Sequence, residues 1–453
     1  MLHKFIFDDA KIVVDVNSGA VHVVDDLVWE LLDDYRRMSG AELLEKNRRF
    51  YPSEEVAEAI EEIRQLEQDN LLYSPDPFAQ GYEPPPGGVI KSLCLHLAHA
   101  CNLRCRYCFA GQGNFGGADE LMPERVGRAA IDFLIEKSAG RKHLEIDFFG
   151  GEPLLNFGVL TELVHYGHKR GGERGKEFKF TLTTNAVLLN DDVTRFLNEN
   201  QISVVLSLDG RREIHDAMRQ ARGGGGSYDV VLSHIKNFVN SRDGLNYYIR
   251  GTYTRHNLDF CADVLHLAGL GFNRISVEPV VAPPEADYAI RDEDIPFILS
   301  EYERLTRELL DLKQAGRPVD FFHFNIDLDG GPCLPKRLSG CGAGHEYLAV
   351  TPGGELYPCH QFAGRPEYLI GNVFQGIIKT EIMELFRNAH LYSKEGCAGC
   401  WAKFYCSGGC HANAEALNGS IFRPHKQGCV LARKRLECAI YLKTRESEIS
   451  VES

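Results

Sequence analysis

From Val89 to Gly316 the chain repeats one unit, an apolar β-type run followed by an amphipathic helical stretch. The runs cover 90–98, 143–149, 178–183, 202–208, 246–254 and 275–279, with helical patterns such as 123–138, 191–200 and 258–270 between them. Such alternation predicts a parallel sheet with right-handed crossovers and helices on the outside. Chemistry on sheets of this kind gathers at the carboxyl ends of the strands. The residues just after each run are therefore where a site is expected.

Directly after the first run stands Cys101-Asn-Leu-Arg-Cys105-Arg-Tyr-Cys108. Three thiols within eight residues suit a soft metal centre. A zinc site of three cysteines with His96 or His99 is one reading, although no fourth ligand follows at zinc-finger spacing. An iron–sulfur cluster held by only three cysteines is the other, and it leaves one iron free for a further ligand. The start of the chain has too short an apolar run, and acid too early, for a secretory signal. In the reducing compartment that implies, the fourteen cysteines read as metal sites rather than disulfides. A net charge of −14 argues against a nucleic-acid partner, and no apolar run approaches a membrane span. The expected location is cytoplasmic.

The spacing Cys-x3-Cys-x2-Cys, with Tyr107 before the last cysteine, resembles the signature loop of the radical S-adenosylmethionine (SAM) enzymes. The resemblance implies a partial (β/α)6 barrel related to the eight-fold TIM barrel. It also implies a 4Fe–4S cluster on Cys101, Cys105 and Cys108 whose free iron chelates SAM. One electron from that cluster would cleave SAM to a 5′-deoxyadenosyl radical that takes hydrogen from substrate. Gly150-Gly151-Glu152-Pro153, after the second run, resembles the family motif that receives the SAM amino group. Its glycines permit close backbone approach, and its carboxylate accepts hydrogen bonds. Ser207, at the end of the fourth run, matches a SAM contact. Arg250 fits either a SAM-carboxylate partner or a structural ion pair. Asp209 reads as a turn residue.

Downstream, Cys341, Cys359, Cys397, Cys400, Cys406, Cys410 and Cys429 form an ordered series. The series resembles the SPASM extension, which implies two auxiliary 4Fe–4S clusters and three clusters in all. Cys341, Cys359 and Cys410 would hold the first, and Cys397, Cys400, Cys406 and Cys429 the second. Cys333 is one source of a fourth ligand for the first cluster; an iron left open for a substrate thiol is the other. His360 stands where the sulfatase-maturing relatives carry a basic aspartate, and an imidazole can take a proton or serve as a hydrogen-bonding neighbour of the cluster. Cys94, Cys261 and Cys438 fit no cluster pattern and read as buried apolar thiols.

Before the barrel, 11–16 and 20–24 flank Asn17-Ser-Gly19 as a hairpin, followed by short helices. This resembles the winged-helix module that recognises leader peptides by β-augmentation. The triple proline after Glu83 reads as a stiff spacer that does not pack into a domain. The expected divisions are a leader-recognition module at 1–74, a linker at 75–88, and the barrel at 89–316. A bridging region at 317–340, a SPASM domain at 341–429 and a terminal helix at 430–453 complete them.

Stretches such as Cys105-Arg-Tyr-Cys-Phe-Ala110, Gly340-Cys-Gly-Ala-Gly-His-Glu-Tyr347 and Cys400-Trp-Ala-Lys-Phe-Tyr-Cys406 extend the likeness over most of the chain. They resemble the maturases of "six cysteines in forty-five residues" peptides. The resemblance implies a thioether synthase joining a cysteine sulfur to a carbon of an acceptor residue in a Cys-rich precursor peptide with a leader. It also implies a one-electron reductant such as flavodoxin or ferredoxin. The alternatives are another SPASM peptide modification, such as carbon–carbon crosslinking or side-chain oxidation, and a non-catalytic peptide-binding iron–sulfur electron carrier.

Overall fold

The computed structural model describes residues 1–242, 246–328 and 334–452. The sequence pattern is realised as one long sheet, mostly parallel. The amino-terminal strands β1 (Leu2–Phe7), β2 (Ala10–Asp15) and β3 (Val21–Val24) form a separate antiparallel sheet in that order. Helices α1 (Asp26–Asp34), α2 (Gly40–Asn47) and α3 (Ser53–Gln68) follow. Strand β1 is an addition to the expected hairpin. Alternation sends Phe5, Phe7, Ile12 and Val14 to the main core, while Val13 joins Leu27, Leu31, Val56 and Ile60 in a second core. The small sheet is thus packed on both faces. Its outer strand β3 carries no further neighbour among the described residues.

The stretch 75–88 forms no helix or strand, yet it is no free spacer. Phe78 and Tyr82 pack against a small core of Leu338, Leu391, Cys397 and Phe404. Lys403, buried, reaches Asp76 at 2.6 Å, and Arg387 donates to the carbonyls of Pro84 and Pro85. Apolar anchors and a buried ion pair override the stiffness of the prolines, so the segment is strapped to the carboxyl-terminal domain.

The barrel strands are β4 (Ser92–His99), β5 (His143–Gly150), β6 (Glu177–Thr184), β7 (Ser203–Ser207), β8 (Tyr247–Tyr253) and β9 (Arg274–Pro279). Each pairs in parallel with the next. Each differs from its expected run by no more than two residues at either end. Helices such as α4 (Glu124–Lys137), α5 (Phe157–Arg174) and α6 (Asp191–Glu199) cross between them. Beyond β9 the short β10 (Asp320–Phe321) covers one edge in parallel. At the other edge β11 (Tyr347–Val350) pairs in parallel with β4, and β12 (Glu355–Tyr357) pairs with β11 in antiparallel. The cysteine-rich region therefore continues the barrel's own sheet, and neither outer barrel strand is left unpaired. The terminal helix α7 (Lys426–Glu452) begins ahead of its expected start, takes in Cys429, and carries Tyr441 to stack on Phe7 at 4.1 Å.

Candidate radical and cluster sites

Cys101, Cys105 and Cys108 follow β4 and line one cavity of about 270 Å³ at the carboxyl ends of the barrel strands. The loop is pinned by a short antiparallel pair in which Cys105 lies opposite Arg219. Burial pushes the Cys101 thiol up to about 12 and Cys105 up to about 11. Buried thiols of this kind become thiolates when a metal compensates the charge. Leu103 N–H points at the Cys101 sulfur from 3.4 Å and Asn185 Nδ2 from 3.6 Å, a polar environment suited to thiolate. Three thiols around one cavity, with no fourth cysteine in its wall, fit a cluster with one open iron.

The zinc reading with a histidine fails on geometry. His96 and His99 are buried, face one another at 3.0 Å and lie against Phe115, on which His99 stacks. Neither lines the cavity. Among the described residues no three His, Cys, Asp or Glu side chains converge to hold a single ion.

The remaining sequence candidates meet here. Gly150, Gly151, Ser207, Arg250 and Tyr107 share the cavity wall. Gly151 is a close-approach glycine, since a β-carbon on it would stand 2.2 Å from the Ala100 carbonyl oxygen and 2.8 Å from that of Gly113. Glu152 turns away. Its carboxylate, fully buried, accepts from Leu154 N–H at 3.0 Å, the Thr184 hydroxyl at 2.8 Å and Asn185 N–H at 2.8 Å. Burial pushes its pKa up to about 7 while these donors pull the other way. The carboxylate therefore fixes the turns after β5 and β6, and the backbone of Gly150 and Gly151 faces the cavity. Arg250 pairs with Glu278 at 3.0 Å on the rim, so its ion-pair role is present in the fold. The Tyr107 hydroxyl donates to Asp209, and Arg219 lies 5.4 Å from its ring centre.

Asp209 is far more than a turn residue. It is fully buried, and its carboxylate gathers Tyr107, Arg219 Nε at 3.0 Å and Thr252 N–H at 3.0 Å. Together Asp209 and Arg219 tie the cysteine loop to β7 and β8. The sequence offers only the Ser-Leu-Asp-Gly turn and an unremarked arginine as signals for this pair.

The carboxyl-terminal domain closes over the same cavity. His360 and Gln361 contribute to its wall, with His360 lying 4.9 Å from Phe149 and 5.5 Å from Phe109, centre to centre. Burial, assisted by Arg250, pulls His360 down to about 4, so its imidazole is neutral. Its Nδ1 stands 3.4 Å from the Tyr347 hydroxyl.

Cys397, Cys400, Cys406 and Cys429 line a second cavity of about 900 Å³. Four thiols around one space supply the complete donor set of a 4Fe–4S cluster. Cys359 lies apart from them with Cys341 and Cys410 as its thiol neighbours; burial, then those two groups, hold it at about 12. Cys333 lies outside the described residues. Cys94, Cys261 and Cys438 are buried and belong to none of these groups.

Comparison with known proteins agrees with this layout. Residues 95–258 match the Radical SAM superfamily, and residues 341–401 match SPASM, an iron-sulfur cluster-binding domain. A cysteine-type anaerobic sulfatase-maturating enzyme of Clostridium novyi is 25% identical over 366 residues, covering 74% of this chain and 93% of that protein. The solved structure of native anSMEcpe with bound AdoMet and Cp18Cys peptide superposes with a TM-score of 0.64 at 20% identity, covering 79% of this chain and 99% of that one. Streptococcus suis SuiB bound to precursor peptide SuiA gives 0.52 at 15% identity, covering 94% and 98%. Radical SAM domains bind SAM and a 4Fe–4S cluster, and SPASM domains bind auxiliary iron–sulfur clusters. The chain is thus built from a radical SAM domain and a SPASM domain that share one sheet, and those are its cofactors.

Proposed function

We propose that this chain is a peptide maturase that forms thioether crosslinks between cysteine and an acceptor residue of a Cys-rich precursor. The observation that carries the reading is the composite wall of the first cavity, where barrel residues meet His360 and Gln361 of the SPASM match and Asn413 beyond it. A substrate carbon at the radical site would lie beside the cluster-bearing domain. When bound, SAM supplies the hydrogen-abstracting radical and the auxiliary clusters supply an acceptor for the electron that leaves as sulfur bonds to carbon.

The chain's own residues divide the remaining work. Cys101, Cys105 and Cys108 would hold the SAM-site cluster, and Gly150, Gly151, Ser207, Arg250 and Tyr107 would shape the space for SAM. Cys341, Cys359 and Cys410, and separately Cys397, Cys400, Cys406 and Cys429, would hold the auxiliary clusters. Phe109 and Phe149 line the cavity. His360 in the cavity wall is placed to take a thiol proton, and the burial that pulls it down to about 4 makes it a weak base for that step. The open edge of β3 supports leader binding by strand addition. SuiB was solved with a precursor peptide and anSMEcpe with a peptide, which favours a peptide substrate here. Cytoplasmic residence accords with unpaired cysteines, and no helix among the described residues is long and apolar enough to cross a membrane. A flavodoxin or ferredoxin is the reductant this reading needs.

The test is anaerobic reaction of reconstituted protein with SAM, reductant and a Cys-rich precursor, followed by mass spectrometry before and after thiol alkylation. A thioether removes two hydrogens and one alkylatable thiol per crosslink. A product lighter by two hydrogens with every thiol still free would replace thioether formation by carbon–carbon crosslinking. Absence of 5′-deoxyadenosine would leave the electron-carrier reading.

A further inference from the structure

Lys394 lies three residues before Cys397, and the mechanism above gives it no task. It is buried, with 3% of its surface exposed. Its ammonium donates to the Gly408 carbonyl at 3.0 Å and approaches that of Gly409 at 3.4 Å. Both carbonyls are neutral. Burial pulls the ammonium below its usual pKa, and the thiols of Cys397, Cys341, Cys406 and Cys410 pull the other way, with Cys429 also in its field. His390 and His411 also face it; burial first, and then its charge, holds both toward the neutral form.

A buried charge without an opposite partner is expensive, and proteins pair such groups. Lys403, the other fully buried lysine nearby, obeys the rule with Asp76 at 2.6 Å. Among the described residues Lys394 has no carboxylate in that role. Gly408 and Gly409, whose carbonyls it holds, lie between Cys406 of one cysteine set and Cys410 of the other, and the thiols in its field come from both sets, Cys341 and Cys410 from the first and Cys397, Cys406 and Cys429 from the second. The fold keeps the side chain in place. A β-carbon on Gly408 would stand 2.8 Å from Lys394 Cδ, so the residue between Cys406 and Cys410 must be small for the lysine to pass.

We propose that Lys394 is the shared counter-cation of the two auxiliary clusters and raises the reduction potential of both. Net charge and hydrogen bonding around a cluster are among the terms that set its potential, and a fixed positive charge favours the reduced, more negative form. The inference rests on the cluster-binding residues and holds whichever bond the enzyme makes. It assigns Lys394 a positioning role on charge, not contact with substrate.

The test is a spectroscopic redox titration of reconstituted protein carrying Lys394→Met, which keeps length and burial but removes the charge. The SAM-site cluster serves as internal reference. At a fixed applied potential the oxidised-to-reduced ratio of both auxiliary clusters rises at least tenfold, equivalent to a fall of about 59 mV for a one-electron couple. The SAM-site midpoint stays where it was, and Lys394→Arg restores the auxiliary midpoints. Unmoved auxiliary midpoints at full iron content would overturn the proposal, as would an equal shift in all three clusters. Should Lys394→Met lose iron, Lys394→Gln keeps a donor to the Gly408 carbonyl without the charge, and the same outcomes decide. A merely structural lysine would change iron retention and leave the potentials alone.

Discussion

Replacing Asp209 by Asn separates charge from shape at the tie beneath the cysteine loop. The amide is nearly isosteric. Its oxygen can still accept from Arg219 Nε and Thr252 N–H, and the Tyr107 hydroxyl can rotate to accept from the new amide nitrogen. Loss of a neutral hydrogen bond would cost about 1 kcal/mol. Arg219, however, is 9% exposed and would be left with a stranded charge, which costs on the order of 3–5 kcal/mol. The charge effect therefore dominates. Because Arg219 lies opposite Cys105 in the short strand pair, the damage falls on the SAM-site cluster first. Asp209→Asn is expected to lose about four irons, the content of one cluster, while the auxiliary clusters remain. Adding Arg219→Leu removes the stranded charge, so the double variant should recover roughly 2 kcal/mol or more relative to additive losses. Urea unfolding followed by circular dichroism, with anaerobic iron counting, measures both quantities across the four proteins. Additivity within about 0.5 kcal/mol would refute the reasoning, because it would mean that the two buried charges do not depend on one another.

Gly151→Ala places a β-carbon 2.2 Å from the Ala100 carbonyl oxygen, so SAM affinity measured by equilibrium dialysis should fall at least tenfold even where the cluster survives. Changing Cys397 and Cys400 together to Ala should remove about four irons and leave the other clusters in the Mössbauer spectrum; loss of all iron would show that the two cysteine sets are not independent. Asp76→Asn strands Lys403 and should cost on the order of 3 kcal/mol, seen as faster proteolysis within 75–88. Glu152 keeps its proton up to about pH 7 when folded but only to its ordinary 4.5 when unfolded, so the folded chain binds more protons between those values. Its contribution to stability therefore falls as pH rises from 4.5 to 7, by at most about 3.4 kcal/mol at 1.36 kcal/mol per unit. Glu152→Gln should flatten the pH dependence of urea midpoints over that window, and an unchanged slope would count against a raised pKa.

The six barrel strands were readable because each is a run of the right length between helical patterns, with apolar residues at every second position in most of them and buried throughout only in β4. Cysteine spacing likewise marks the loops that must come together. What spacing cannot carry is the direction of a side chain. Glu152 sits in a motif that meets the cavity, yet its carboxylate points into the turns behind it. Asp209 and Arg219 are far from Tyr107 in sequence, and only the parallel order of β7 and β8 beside the loop brings the three together. Strand β1 depends on a partner reached by the Asp8 turn, whose φ is 50°, and on Tyr441 near the far end of the chain. The triple proline speaks for stiffness, whereas Phe78 and Tyr82, which decide where the segment docks, look like ordinary linker aromatics.

The pairing of β4 with β11 also sets a timetable for the newborn chain. β4 ends at His99, and the strand that seals its free side starts at Tyr347. At bacterial or eukaryotic synthesis speeds of about 5–20 residues per second, the ribosome needs on the order of 10–50 s to make the missing neighbour. Throughout that interval Ser92–Leu95 have one unpaired margin, whereas Ala98 and His99, nearer Cys101, pair with Glu120–Leu121 as soon as those residues are made. Chaperones have a reason to attend to that first half of the strand. The same delay makes the nascent barrel a target for aggregation whenever translation stalls before the second cysteine series emerges.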